Sequence, residues 1–112
     1  MIAGIGCDIV AIDRFRDKTI AFAKRVLTPE ELTLYEALTP ARKPEWLAGR
    51  FAAKEAIVKA IDKNLPITQI AVLSTSDGKP VCELAGFTIL VSISHEKEFA
   101  IAYAIAQTSE LV

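Results

Sequence analysis

Two charged residues stand where an apolar helix should bury its side chains. In residues 44–61, Leu47, Phe51, Val58 and Ile61 share one stripe at helical spacing. Ala48, Ala52, Ala53, Ala56, Ile57 and Ala60 cover much of the remaining surface. Lys54 falls within the stripe, and Glu55 and Lys59 fall together on its flank. A charge in such a place is costly unless it is paired or bound to a metal. Glu55 precedes Lys59 by four residues, the favourable order for an ion pair on one helix face. The other reading makes Glu55 a carboxylate ligand for a hard cation, with a lysine beside it. Magnesium takes one or two carboxylates and fills its remaining positions with water and substrate phosphate oxygens.

Asp8 offers a second carboxylate. It follows Gly6 near the end of an apolar strand, where it either faces a cleft or caps the next helix. Arg42, Lys43 and Arg50 lie at or near the start of the long helix. Helix N-termini and arginine forks both suit phosphate, although solvated surface charge accounts for them equally well. Gly78-Lys79-Pro80 reads as a turn with a cation in it. Ser92-Ile93-Ser94-His95 places two hydroxyls on one face of a strand, beside the only histidine. No third partner is spaced to complete a catalytic triad, so contacts to phosphate or to metal-bound water suit this segment better. A lone histidine and two cysteines, Cys7 and Cys82, outside any C-x-x-C pair do not make a zinc site.

The elements that must position these groups are legible. Residues 1–10 read as a strand in which Gly4 and Gly6 allow another backbone to come close. Residues 13–26 read as a short basic helix, with Ile20, Ala23 and Leu27 at helical spacing. Thr28-Pro29-Glu30-Glu31 predicts a capped helix start, with Thr28 and Glu31 closing a capping box, and the helix should end near Leu38. After the long helix, residues 69–74 and 80–84 predict strands around the turn Ser76-Asp77-Gly78-Lys79. Residues 87–94 alternate Phe87, Ile89, Val91 and Ile93, and residues 99–106 alternate Phe99, Ile101, Tyr103 and Ile105, joined by His95-Glu96-Lys97-Glu98. Helices in the middle and antiparallel strands at the end predict an α+β fold, an antiparallel sheet packed against a long central helix and shorter helices.

At 112 residues the chain is expected to be one domain, residues 1–112, with a modest core. Its 52% hydrophobic share hints at buried subunit contacts. No apolar run approaches the roughly 18 residues of a membrane span, and residues 1–10 lack a basic secretory n-region. With two thiols read as reduced, a soluble cytoplasmic protein is expected. The net charge of −1 excludes a general polyanion binder, so neither nucleic acid nor membrane is an expected partner. The charge is uneven, however. Residues 1–63 carry eleven Lys and Arg against nine Asp and Glu, whereas residues 64–112 carry two against five. An anionic ligand or acidic partner should therefore dock on the first half.

Taken in order, these segments resemble the holo-(acyl carrier protein) synthases, the small bacterial 4′-phosphopantetheinyl transferases. The resemblance covers nearly the whole length. It is carried by Gly6-Cys7-Asp8-Ile9-Val10 leading to Arg14, and by Arg25-Val26-Leu27-Thr28. It continues through Leu47-Ala48-Gly49-Arg50-Phe51-Ala52-Ala53-Lys54-Glu55-Ala56 and Lys59-Ala60. It closes on Gly78-Lys79-Pro80 and Ser92-Ile93-Ser94-His95. The resemblance implies a 4′-phosphopantetheinyl transferase-like fold and Mg²⁺ held by Asp8 and Glu55. The phosphopantetheine arm of coenzyme A would pass to a serine of apo acyl carrier protein, releasing 3′,5′-ADP. Lys59 would protonate or screen the leaving oxygen, and Glu55 or a metal-bound water would take the serine proton. Arg42, Lys43, Arg50, Lys79 and His95 are the matching candidates for coenzyme A phosphates. Arg14, Lys24 and Arg25, with Phe22 as an apolar anchor, are those for the acidic carrier. The resemblance also implies a homotrimer whose active sites lie between subunits. Asp62-Lys63-Asn64-Leu65-Pro66 departs from the family in lacking a glycine-rich loop, so part of the coenzyme A cleft is expected to differ.

Two other classes compete. A non-enzymatic module binding an acidic partner through Arg14, Lys24 and Arg25 explains the basic first half, but not Lys54 and Glu55. A different Mg²⁺ enzyme, such as a phosphohydrolase, would need a water nucleophile and no carrier protein.

Overall fold

Gly4 and Gly6 set the geometry of the molecule. A Cβ on Gly4 would stand 2.0 Å from the carbonyl oxygen of Ala60, and one on Gly6 1.9 Å from that of Ala56. No side chain fits there, so the first strand lies directly against the backbone of the long helix. The computed structural model describes residues 1–18 and 20–108. Strand β1 (Ile2–Ala11) leads through a 3₁₀ turn (Ile12–Phe15) to α1 (Ile20–Lys24), α2 (Pro29–Glu36) and the long helix α3 (Lys43–Ile61). Strands β2 (Leu73–Ser74), β3 (Pro80–Leu84), β4 (Phe87–His95) and β5 (Phe99–Thr108) follow. They form one antiparallel sheet in the order β1-β5-β4-β3-β2, with α3 packed across its inner face. The α+β expectation therefore holds.

Small side chains make the close approach possible. Ala100, Ala102, Ala104 and Ala106 of β5 point inward and are buried, opposite buried Ala48, Ala52, Ala53, Ala56 and Ala60 of α3. The alternation in β5 is thus present, but the alanines rather than Phe99, Ile101, Tyr103 and Ile105 meet the helix. Those larger residues line the outer face with Ile5 and Ile9 of β1 and Leu90 of β4. Bulk on the inner face would force α3 away from β1. In β4 the inward residues are the expected Phe87, Ile89, Val91 and Ile93.

The capping box at Thr28 and Glu31 forms: the Thr28 hydroxyl accepts from the Glu31 N–H, and the Glu31 carboxylate accepts from the Thr28 N–H. Two expectations need correction. Residues 13–26 are not one helix. Asp17 adopts a left-handed backbone (φ 54°), which breaks the helical path after the 3₁₀ turn and leaves only five residues to α1. Residues 69–74 are not a full strand either: Ile67–Gln69 form a 3₁₀ turn, and only Leu73 and Ser74 pair with β3. The glycine-free loop after α3 closes with Asp62 in the left-handed conformation (φ 52°) that glycine usually takes at a helix end. No helix among the described residues is long and apolar enough to cross a membrane.

Candidate active site

β1 and α3 run past each other so that Gly4 lies over Ala60 and Gly6 over Ala56. Continuing this spacing, two strand residues per helical turn, puts Asp8 level with Ala52 and beside the flank that bears Glu55 and Lys59. Lys59 closes the gap. Its ammonium donates to the Asp8 carboxylate at 3.2 Å and to the Cys7 carbonyl at 2.8 Å. The anticipated pairing of Lys59 with Glu55 along the helix is not the one that forms. Glu55 is half-buried and makes no hydrogen bond or ion pair among the described residues. Asp8 is also largely covered, its side chain 19% exposed. The result is two carboxylates, one already next to a lysine and one with free oxygens, on a strand and a helix whose backbones lie in direct contact. No group of three or more His, Cys, Asp or Glu side chains gathers among the described residues. A divalent ion at Asp8 and Glu55 would therefore complete its shell with water or substrate oxygens, as magnesium does.

Lys54, the neighbour of Glu55, points the other way. It is fully buried and pairs with the equally buried Glu31, while donating to the Val26 carbonyl at 2.7 Å. Burial lowers the Lys54 pKa, and the bond and charge of Glu31 oppose that shift. Glu31, anticipated only as a capping residue, is thus the counter-charge of Lys54. The signal that pointed to it was the lysine in an apolar stripe, which requires a buried partner.

A cavity of about 180 Å³ opens at the N-terminal end of α3, lined by Arg42, Trp46, Arg50, Gly78, Pro80 and His95 among others. Three of the five anticipated phosphate-binding residues, Arg42, Arg50 and His95, therefore meet in one place. Arg50 is 8% exposed, and its guanidinium stacks 4.5 Å from the centre of the Trp46 ring. Burial lowers its pKa, opposed by the charge of Glu31. Glu45 stands 3.8 Å from both Arg42 and His95. Trp46 and Glu45 were not anticipated, since nothing in their local spacing marks a cavity wall. Lys43 lies instead over the Tyr35 ring, at 5.4 Å, and Lys79 lies in the exposed turn between the cavity residues Gly78 and Pro80. His95 also lines a second concavity, of about 330 Å³, on the outer sheet face with Ile9, Ser94, Phe99 and Ile101.

The anticipated carrier-binding residues form one surface region. Arg14, in the 3₁₀ turn rather than in a helix, lies 5.6 Å from the ring centres of Phe15 and Phe51. Phe22 is half-buried against Phe15, and Lys24 and Arg25 are exposed at the end of α1.

The Lys59–Asp8 pair between strand and helix and the arginine-lined cavity at the start of the same helix occur in a chain whose sequence and fold match a known family. Residues 4–104 match the family model of the 4′-phosphopantetheinyl transferase superfamily, and the chain belongs to that family. Within it, the chain is similar to holo-[acyl-carrier-protein] synthases. It is 41% identical to that of Geobacillus kaustophilus (strain HTA426), over 96% of this chain and 90% of the relative. It is 44% identical to that of Geobacillus sp. (strain WCH70), over 96% and 98%. The crystal structure of the Bacillus anthracis str. Ames holo-(acyl-carrier-protein) synthase in complex with CoA (3′,5′-ADP) superposes with a TM-score of 0.91 at 37% identity. The match covers 97% of this chain and 99% of that one.

Proposed function

We propose that this protein transfers the 4′-phosphopantetheine arm of coenzyme A to a serine of apo acyl carrier protein, releasing 3′,5′-ADP. The observation that carries this reading is the Lys59–Asp8 pair between α3 and β1, with Glu55 one turn before Lys59, on the same helix whose N-terminal end opens into a cavity lined by Arg42, Arg50 and His95. The near-complete similarity to holo-[acyl-carrier-protein] synthases supports it.

Asp8 and Glu55 are the residues that would hold Mg²⁺, which when bound neutralises charge on the pyrophosphate of coenzyme A. The cavity residues Arg42, Arg50 and His95 bind the nucleotide phosphates, and Lys43 and Lys79 add positive charge nearby. The serine oxygen forms a bond to the β-phosphorus, and the bond from that phosphorus to the bridging oxygen breaks. Glu55 accepts the serine proton, and Lys59 donates to or screens the leaving oxygen of 3′,5′-ADP. Arg14, Lys24 and Arg25 dock the acidic carrier, with Phe22 as the apolar contact.

The active unit is a homotrimer. Ile5, Ile9, Leu90, Phe99 and Tyr103 expose between 43% and 72% of their surface on one sheet face, a patch too apolar to suit a monomer. His95 borders both this face and the phosphate cavity, so a neighbouring copy seated there completes the site. The proposed substrates, coenzyme A and an acyl carrier protein, support a cytoplasmic location.

Mass spectrometry of apo acyl carrier protein incubated with the protein, coenzyme A and Mg²⁺, beside an EDTA control, tests the reading. A gain of one phosphopantetheine that needs metal is expected. No gain with several competent carriers would replace the transferase with a carrier-binding module. Glu55→Gln should abolish turnover while leaving the melting temperature intact, and unchanged turnover would remove the role given to Glu55.

A further inference from the structure

The buried Glu31–Lys54 pair, which no step of the transfer uses, and the cavity residue Arg50 converge on one residue of the main chain. The Glu31 carboxylate accepts from the Val72 N–H at 2.7 Å, besides Lys54 and the Thr28 N–H. Arg50, one helical turn before Lys54, donates to the Val72 carbonyl at 3.0 Å and to the Ser74 hydroxyl at 2.8 Å. Both polar groups of the Val72 backbone are therefore held by side chains, where a sheet residue would normally use a neighbouring strand. Arg50 and Lys54 sit on the same face of α3, so the helix grips this segment at two points, directly through Arg50 and through Glu31 by way of Lys54.

The segment needs such a grip. Val72 leads into β2, which pairs with β3 only at Leu73–Val81 and Ser74–Pro80. Pro80 has no N–H to give to the ladder. β3 in turn meets β4 only from Cys82 to Leu84. The far end of the β2–β3 hairpin thus overhangs the sheet with little ladder to hold it, and that end carries Gly78 and Pro80 into the wall of the phosphate cavity.

We propose that Glu31 and Lys54, acting with Arg50, are positioning residues for coenzyme A: they hold the β2–β3 hairpin against α3 so that the cavity wall is in place before the nucleotide arrives. Ordering the hairpin in advance removes an entropic cost from binding. This rests on the transferase reading, and it is separate from the Asp8, Glu55 and Lys59 chemistry on the other side of the helix.

The deciding variant is the double replacement Glu31→Met/Lys54→Met. Exchanging a whole buried pair for apolar groups of similar volume commonly preserves the fold. It leaves the Val72 N–H without its acceptor, and also frees the Thr28 N–H and the Val26 carbonyl at the start of α2. Expected are a KM for coenzyme A raised about tenfold, with kcat and the carrier KM changed less than about twofold. Amide hydrogen exchange at Val72 and in the 73–79 hairpin should be accelerated. A folded double variant with wild-type coenzyme A KM, or with wild-type exchange at Val72, overturns the proposal. Should the double variant not fold, Ser74→Ala decides, because Ser74 is exposed and only the Arg50 contact is lost. A smaller rise in the same KM is expected there, and none would overturn the proposal. Wild-type protein that transfers nothing to any carrier would remove the transferase reading instead, and the exchange comparison would still decide whether the pair holds the hairpin.

Discussion

Lys59 reaches across from α3 to β1 and binds Asp8 through its carboxylate and Cys7 through its main-chain carbonyl. One side chain thus ties the helix to the edge strand at the point where the proposed chemistry takes place. Lys59 remains about half exposed, so the pair is accessible to a charged substrate and contributes little to stability. Lys59→Met should lower kcat by about a hundredfold, the usual scale for losing a general acid or charge partner in the transition state. Unfolding free energy should change by no more than about 1 kcal/mol. Steady-state kinetics beside a urea melt distinguish this from a folding defect, and a kcat near wild type would remove Lys59 from the reaction.

Gly6→Ala should be far more damaging than its chemistry suggests. The added methyl meets a main-chain oxygen of Ala56 that has no rotamer to escape into, so α3 must back away from β1. Overpacking of this kind costs about 1–3 kcal/mol. It also separates Asp8 from Lys59, so both the urea midpoint and turnover should fall together. Wild-type values for both would mean that the helix and strand are not in direct contact.

The outer sheet face carries the assembly prediction. Tyr103→Lys places a charge in the middle of the apolar patch without touching the inner core, since Tyr103 is 57% exposed in the single chain. Sedimentation should show trimer for the wild type and monomer for the variant, with turnover lost on dissociation. A monomeric wild type with full activity would overturn the shared site.

Lys24→Glu/Arg25→Glu tests the carrier surface. Both residues are exposed at the end of α1, so the fold is unaffected. The carrier KM should rise about tenfold while the coenzyme A KM stays constant, and the salt sensitivity of wild-type turnover should weaken. A coenzyme A effect instead would place these cations at the nucleotide.

Cys82 gives a prediction for alkaline pH. Burial first, and then the nearby charge of Glu31, pushes its thiol from 9.0 up to about 11. Because the folded value lies above the unfolded one, this contribution to stability is complete below about pH 9 and is lost as the pH rises through about 11. Cys82→Ala should remove that share of the alkaline loss, up to about 3 kcal/mol between pH 9 and 11, in denaturant melts compared across pH. An unchanged alkaline slope would mean that Cys82 is not the group responsible.

The local devices were legible from the residues. The Thr28–Glu31 capping box, the Asp77-Gly78 turn, the span of α3 and the alternation in β4 each depend on neighbours a few positions apart. The exceptions are local as well. A left-handed Asp17 cuts the first helix short, and polar bonds from α3 and α2 replace the sheet ladder before Leu73. Val72 carries no sequence signal for this, because the side chains that satisfy its backbone lie elsewhere in the chain.

By itself, the sequence determined the α+β class, the family and the cast of chemical groups, because periodicity, caps and an ordered set of motifs are properties of residues near one another. The tertiary structure decided who pairs with whom. Lys59 goes to Asp8 and not along its own helix to Glu55, Lys54 finds Glu31, and Arg50 and Glu31 share Val72. It also decided that alanines, not the larger residues of β5, face inward, leaving an apolar outer face. The reason is distance: an ion pair or a packed face depends on which elements meet, and helical spacing says nothing about a partner some fifty residues away.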